Sequence, residues 1–157
     1  SSDLEEKIKK YSSLLGATEV SGPGVTVTVT DATVQDSLIS LYDPSLLIVH
    51  DVDILEIVNE LKNAGAEAID VNDQRIIANT AISCDGNVIV VNGEKISSPF
   101  TIRAIGFPER MATLKRVNGP LDNLNRASIK TTFTTADKIT IPKYTGVNTF
   151  KYAKIIK

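Results

Sequence analysis

The chain has no tryptophan, one cysteine, one histidine and one methionine, and aromatic residues make up only 5% of it. Each scarcity argues against a class of function. Base-stacking platforms and aromatic sugar clefts draw on repeated exposed rings, so there is little here to build a nucleic-acid grip. Cys84 has no partner for an internal disulfide, and with His50 alone it cannot complete a Cys/His zinc site. No apolar run approaches the roughly 20 residues that cross a bilayer. Any membrane attachment is therefore expected through a segment absent from this chain. The chain opens on Ser1-Ser2 rather than Met, as expected of a processed or truncated piece.

What is present is ordinary in amount and uneven in placement. With 157 residues, 42% hydrophobic and 23% charged, one domain is expected, burying roughly 70% of its extended surface. The net charge of −2 hides a gradient: residues 1–100 hold 16 acids and 6 bases, residues 101–157 hold 3 acids and 11 bases. From Lys138 onward there are five lysines and no acid. Two readings stand. Either the halves interleave in one sheet and neutralise each other, or a basic face is directed at anionic lipid or another anionic polymer. A sequence pI near 5.4 argues against a nucleic-acid binder.

Residues 50–77 are the most legible stretch. Ile54, Ile57, Val58 and Leu61 fall at i, i+3, i+4 and i+7, one apolar stripe of a helix. Asp53 followed by Glu56 fits a capping box, with Asp51 as a second cap candidate. Gly65 supplies the left-handed stop. Ala66, Ala68, Ile69 and Val71 then feed a short strand, and a strand so soon after a helix predicts a crossover to a parallel neighbour.

Other elements are read from spacing. Leu4, Ile8, Tyr11 and Leu15, spaced four, three, four, have the a/d spacing of a coiled-coil seam over residues 2–15, expected as the end of a longer coiled coil or else as an ordinary packed helix. Ser21-Gly22-Pro23-Gly24 reads as a turn before the alternating strand Val25–Thr30. Residues 31–45 read as a loop, Leu46–Val49 as a short extended run, and 74–82 as a strand. Cys84–Asn87 reads as a turn, Val88–Val91 as a central strand, and Asn92-Gly93 as a hairpin turn. Phe100–Ile105 is a strand. A second helix opens at Pro108, turns Met111, Leu114 and Val117 inward and ends at Asn118-Gly119-Pro120. Ile129–Phe133 and Ile139–Ile141 close the chain as strands.

Strand–helix–strand thus occurs twice, around residues 46–72 and around residues 99–134. The expected fold is α+β, a ferredoxin-like split βαβ sandwich with a mixed, mostly antiparallel sheet and two helices on one face, preceded by an N-terminal helix. Residues 1–16 are assigned to the helix, the end of a coiled coil, and 17–157 to the α/β domain.

No cluster announces a reaction. His50-Asp51-x-Asp53 resembles one step of a metal phosphohydrolase site, which needs several histidines, and helix capping accounts for both aspartates. A Cys84–His50 pair with Arg103 holding an oxyanion is disfavoured because Ser83-Cys84-Asp85-Gly86 has no helix N-terminus to lower the thiol pKa. Asn72-Asp73-Gln74-Arg75 sits between strand pieces, where Gln74 and Arg75 either present a planar donor fork to a partner or form a hairpin with Arg75 bridged to Asp70. Arg103 is expected on a solvated face or beside a carboxylate. The candidate binding residues are therefore Asn72, Asp73, Gln74, Arg75 and Arg103, with no catalytic residue, metal ligand or cofactor expected.

Several of these segments share one resemblance. Gly22-Pro23-Gly24-Val25-Thr26-Val27, Val49-His50-Asp51-x-Asp53 and Val58-Asn59-Glu60-Leu61-Lys62-x-Ala64-Gly65-Ala66-Glu67-Ala68-Ile69 resemble the bacterial YlxW/YlxX-like family, a domain of unknown function. Gln74-Arg75-Ile76, Ile82-x-Cys84, Val91-Asn92-Gly93 and Pro99-Phe100-x-Ile102-x-Ala104-Ile105-Gly106 continue it, over roughly residues 20–125. Many members have Asn-Gly where this chain has Asn72-Asp73, which argues against a tight glycine turn there. The resemblance implies an N-terminal transmembrane anchor, a coiled coil and an α/β domain outside the cytoplasm, in proteins labelled "division initiation protein". It implies no catalytic residue. The function expected is a non-enzymatic domain binding a protein of the division or envelope machinery, or an anionic cell-wall or lipid surface, with the Asn72–Arg75 turn and an exposed sheet edge able to accept a partner strand as its contact surfaces. Homodimerisation through the N-terminal helix is expected too. The alternatives are a passive assembly module or a Cys/His enzyme.

Overall fold

A computed structural model describes residues 2–33 and 43–157. Most of the loop expected over 31–45 lies outside the described residues. The helix α1 (Ser2–Leu14) leads into strand β1 (Val20–Thr30), and after a 3-10 turn at Pro44–Leu47 comes α2 (Asp51–Asn63). Strands β2 (Ala68–Val71), β3 (Gln74–Arg75), β4 (Ile82–Asp85), β5 (Val88–Val91), β6 (Glu94–Ile96) and β7 (Phe100–Ile105) come next. A short helix α3 (Pro108–Met111) runs into a 3-10 turn (Ala112–Lys115), then α4 (Pro120–Arg126) and β8 (Lys130–Ile141) complete the fold.

The main sheet has the order β3-β2-β7-β1-β8. The first strand–helix–strand unit opens with β1 and not with residues 46–49 as expected, and without the two-residue β3 the four strands of the two units lie in the order second, third, first, fourth. That is the split βαβ arrangement, in which the second unit's first strand lies between the two strands of the first unit. Every pairing in this sheet is antiparallel. The predicted parallel neighbour is therefore corrected: β1 and β2 share a direction, but β7 separates them.

Alternation along the strands decides which face is covered. Val25, Val27 and Val29 of β1 are fully buried, and opposite them stand Ala104, Ile102 and Phe100 of β7, also buried. Ile54, Ile57, Val58 and Leu61 of α2 close over this face as their spacing predicts, joined by Leu121 and Leu124 of α4. The strands β4, β5 and β6 form a separate three-stranded sheet with β5 in the middle. Its Ile89 and Val91 belong to the same core.

Several local expectations are revised. Leu46 and Leu47 lie in a 3-10 turn, with Asp43 accepting from Ser45 N at 3.0 Å. Gly22-Pro23-Gly24 lies within β1 and marks an irregularity opposite β8, where the register shifts between Gly22 and Gly24. A Cβ on Gly24 would stand 1.9 Å from Ala104 O, so only glycine permits this approach of β1 to β7. The strand expected over 74–82 stops at Arg75, and Ile77 N then donates to Thr80 Oγ1 at 2.8 Å in a turn. The second helix is two: Asn118 takes φ +62° and Pro120 opens α4 rather than ending a helix. Val117, past the turn of Met111 and Leu114, is 76% exposed. The last two expected strands are one, the twelve-residue β8.

Candidate functional site

Directly opposed residues of antiparallel strands project from the same face. The register therefore puts Thr134, Thr26, Arg103, Asp70 and Arg75 in one row across all five strands, on the face away from α2. Asp70 is at the heart of this row and fully buried, with an arginine on each side. Arg103 grips both its carboxylate oxygens, through Nε at 3.1 Å and through a second bond from Nη2. The same Nη2 reaches the exposed Asp73 at 2.9 Å. Burial pushes the Asp70 carboxyl above its ordinary range, partly countered by Arg103, and the Asp70 carboxylate raises the Arg103 pKa in turn.

Arg75 faces Asp70 in register but pairs elsewhere. Its Nη1 donates to Thr18 O at 2.9 Å and Pro142 O at 3.2 Å, and its Nη2 to Ser13 O at 3.1 Å. One guanidinium thus ties the end of α1, the entry to β1 and the exit of β8 together. It is 3% exposed, and burial lowers its pKa. Neither the partner-facing fork nor the Asp70 bridge describes it. Gln74 Oε1 stands 3.5 Å from Asn92 Nδ2, and Asn92 Nδ2 also donates to Arg75 O at 2.8 Å, which fastens this hairpin to the β5–β6 hairpin.

Asn72 and Asp73 both take positive φ, 48° and 68°, between paired Val71 and Gln74. They form a two-residue hairpin turn of the mirror-image kind, built without glycine. Asn72 N donates to Thr101 O at 2.9 Å, and Thr101 N donates back to Asn72 Oδ1 at 2.6 Å. The side chain thereby prolongs the β2–β7 ladder by one step. Of the five predicted residues the structure brings Arg103 and Asp73 into direct contact, whereas Asn72, Gln74 and Arg75 bond to other parts of the chain, and only Asp73 is exposed.

The other polar cluster lies at the start of α2. His50 is the N-cap, and Asp53 reaches back to accept from His50 N at 2.8 Å, so Asp53 is the third helical residue and not the cap. Cys84, remote in sequence, accepts from Asp51 N at 3.2 Å. A helix N-terminus does stand beside the thiol, one that local sequence could not reveal. Even so, cover from the helix start, with the Asp51 carboxylate adding to it, holds the thiol pKa above its ordinary value. Arg103 is on the opposite side of the sheet, bonded to Asp70. Thiol, imidazole and guanidinium therefore do not converge. Among the described residues, no three His, Cys, Asp or Glu side chains are grouped to hold a metal.

The sequence predicts an exposed sheet edge without showing which strand forms it, and the structure places β8 there. β8 pairs with β1 on one side and is terminal in the strand order. Between Lys130 and Asp137 its residues are Thr131, Thr132, Phe133, Thr134, Thr135 and Ala136, a six-residue uncharged stretch of high strand propensity. Natural sheet edges are usually defended by charge, proline or brevity. Leu4, Ile8 and Tyr11 of α1, with Leu15 just after it, are 56–60% exposed.

A ferredoxin-like α+β sandwich with a partly buried polar row on the face away from α2 and an open edge strand is the class this geometry defines. The chain belongs to the family described as bacterial protein of unknown function (DUF881), whose model matches residues 7–154. It is 37% identical over 123 residues to the UPF0749 protein YlxW of Bacillus subtilis, covering 76% of this chain and 51% of that protein. The UPF0749 protein Rv1823 of Mycobacterium tuberculosis is 41% identical over 96 residues, 59% of this chain and 31% of that protein. The chain thus spans about half or less of these relatives. An uncharacterized conserved protein from Mycobacterium tuberculosis, known from a crystal structure, superposes with a TM-score of 0.76 at 26% identity, over 96% of this chain and 99% of that one. None of these relatives carries an enzymatic name.

Proposed function

We propose that this domain is a non-enzymatic binding module of a longer bacterial protein, and that it takes a partner polypeptide as an added strand along the outer edge of β8. The uncharged stretch Thr131–Ala136 carries the proposal. An open edge offers a row of backbone donors and acceptors, and strand addition satisfies them while alternate side chains confer specificity. The polar residues of the β2–β3 hairpin support a structural role for that end of the sheet: Asp70, Arg75 and Asn72 are each bonded within the domain. The family resemblance supports an extracytoplasmic setting on a membrane-anchored protein, with the partner in the division or envelope machinery.

A photo-crosslinking residue at Thr134 tests this in cells. A discrete crosslinked product is expected there and not from the same group at exposed Lys62 on α2, and Thr132→Lys should abolish it by charging the edge. Equal crosslinking at both positions, or none at Thr134, overturns the assignment.

The exposed α1 seam favours a compatible second role. Two heptads do not hold a dimer alone, but as the end of a longer coiled coil they pair two copies of the domain. Light scattering on a chain extended upstream should report a dimer that Ile8→Asp weakens. A monomer at micromolar concentration removes this role.

A further inference from the structure

Beyond β8 the chain leaves the sheet and forms no further regular structure. Tyr144 N donates to Gly16 O at 2.8 Å and Asn148 Nδ2 to Leu15 O at 3.3 Å, which lays the segment against the end of α1. From there the side chains turn outward. Phe150 is 73% exposed, Tyr152 85%, Ile155 90% and Ile156 94%. Interleaved with them are Lys143, Lys151, Lys154 and Lys157, with no aspartate or glutamate anywhere in the segment. Lys151 Nζ lies 5.5 Å from the Tyr152 ring centroid. The family match extends to residue 154, so most of this segment lies within the matched span.

We propose that residues 143–157 are an interfacial segment that docks on an anionic lipid bilayer. The proposal is independent of the β8 edge and adds a second binding surface. Two properties must be matched at once. A soluble polyanion would neutralise the lysines and leave Phe150, Ile155 and Ile156 in water. An apolar protein groove would cover those three and leave four like charges crowded at its rim. The headgroup region of an anionic bilayer receives both, because rings and aliphatic chains enter the acyl boundary while ammonium groups remain among the phosphates. The lysines also supply the sign: with no acid among them, the attraction is directed at negative charge alone.

The absence of tryptophan makes the test clean, because a Tyr152→Trp reporter is the sole indole of the chain. The probes are vesicles of phosphatidylcholine alone and of phosphatidylcholine mixed with phosphatidylglycerol, with co-sedimentation and indole emission as readouts. Binding is expected to the mixed vesicles only, with emission shifted to the blue and with affinity falling as salt is added. Replacing Lys151, Lys154 and Lys157 together by Gln should weaken partitioning by about 100-fold, at about fivefold per lysine. Ile155→Ser with Ile156→Ser should weaken it while leaving the salt dependence in place. These positions are exposed beyond the last strand, and unchanged melting of each variant checks that the fold is intact. Equal binding to neutral vesicles, or undiminished binding of the triple Gln variant, overturns the proposal. So does binding of soluble polyphosphate as tight as that of vesicles, with no blue shift.

Discussion

Arg103 stands directly across from Asp70 on the neighbouring strand and holds both oxygens of a carboxylate that water does not reach. The two residues cannot be judged separately. Removing the arginine leaves a buried charge with no partner, whereas replacing both by apolar residues removes the charge and its need together. Arg103→Ala should therefore cost about 3 kcal/mol of stability by urea denaturation. Asp70→Leu combined with Arg103→Met should cost much less than that single change. A single Arg103→Ala loss below about 1 kcal/mol would mean that Asp70 is solvated or neutral in the folded protein.

The raised pKa of Asp70 has a definite sign in the stability–pH curve. Below the ordinary carboxylate range the group is protonated in both folded and unfolded chains and contributes no slope. As pH rises through the unfolded value, the unfolded chain releases its proton first, so the folded state loses ground until its own higher pKa is passed. Asp70 thus makes the fold less stable at neutral pH than at mildly acidic pH. Thermal melts across that range should show this descent in the parent and a flatter profile in Asp70→Asn. A parallel profile in the two proteins would refute it.

Arg75 makes a separate prediction, because its guanidinium serves three carbonyls from distant parts of the chain. Lysine keeps the charge but not the planar fork. Arg75→Lys should lower stability by about 2 kcal/mol, the scale of buried acceptors left unsatisfied. Hydrogen exchange should speed up selectively around residues 13–18 and 142–144. Uniform exchange across the domain would show that Arg75 does not hold α1 to the sheet.

Local spacing made much of this fold legible. The stripe Ile54, Ile57, Val58 and Leu61 and the alternation Val25, Val27, Val29 each bury the face they predict, because one-sided burial imposes its period directly on sequence. The same spacing could not show that β8 lies at an edge, since strand order is a property of the whole sheet. Nor could it show Arg75 buried, because Ser13, Thr18 and Pro142 meet it only after the sheet has assembled. Proline signals proved ambiguous in direction: Pro120 is as compatible with the end of one helix as with the start of the next. Cys84 illustrates the same limit, since the helix start beside it belongs to residue 51.

The Asn72-Asp73 turn separates two roles that a shared backbone conformation conceals. Both residues sit in the left-handed region, where glycine is more comfortable by about 1 kcal/mol. On backbone grounds alone, glycine at either position should help. The side chains differ, however. Asp73 offers only an exposed pairing with Arg103, worth under about 1 kcal/mol, so Asp73→Gly should leave stability within about 0.5 kcal/mol of the parent. Asn72 Oδ1 satisfies Thr101 N at the end of the ladder, and Asn72→Gly should lose about 1 kcal/mol net, the unsatisfied donor outweighing the relieved backbone. Denaturation midpoints of the two variants decide it. Equal stabilisation by both would show that the Asn72 side chain adds nothing to the sheet and that the turn is specified by backbone conformation alone.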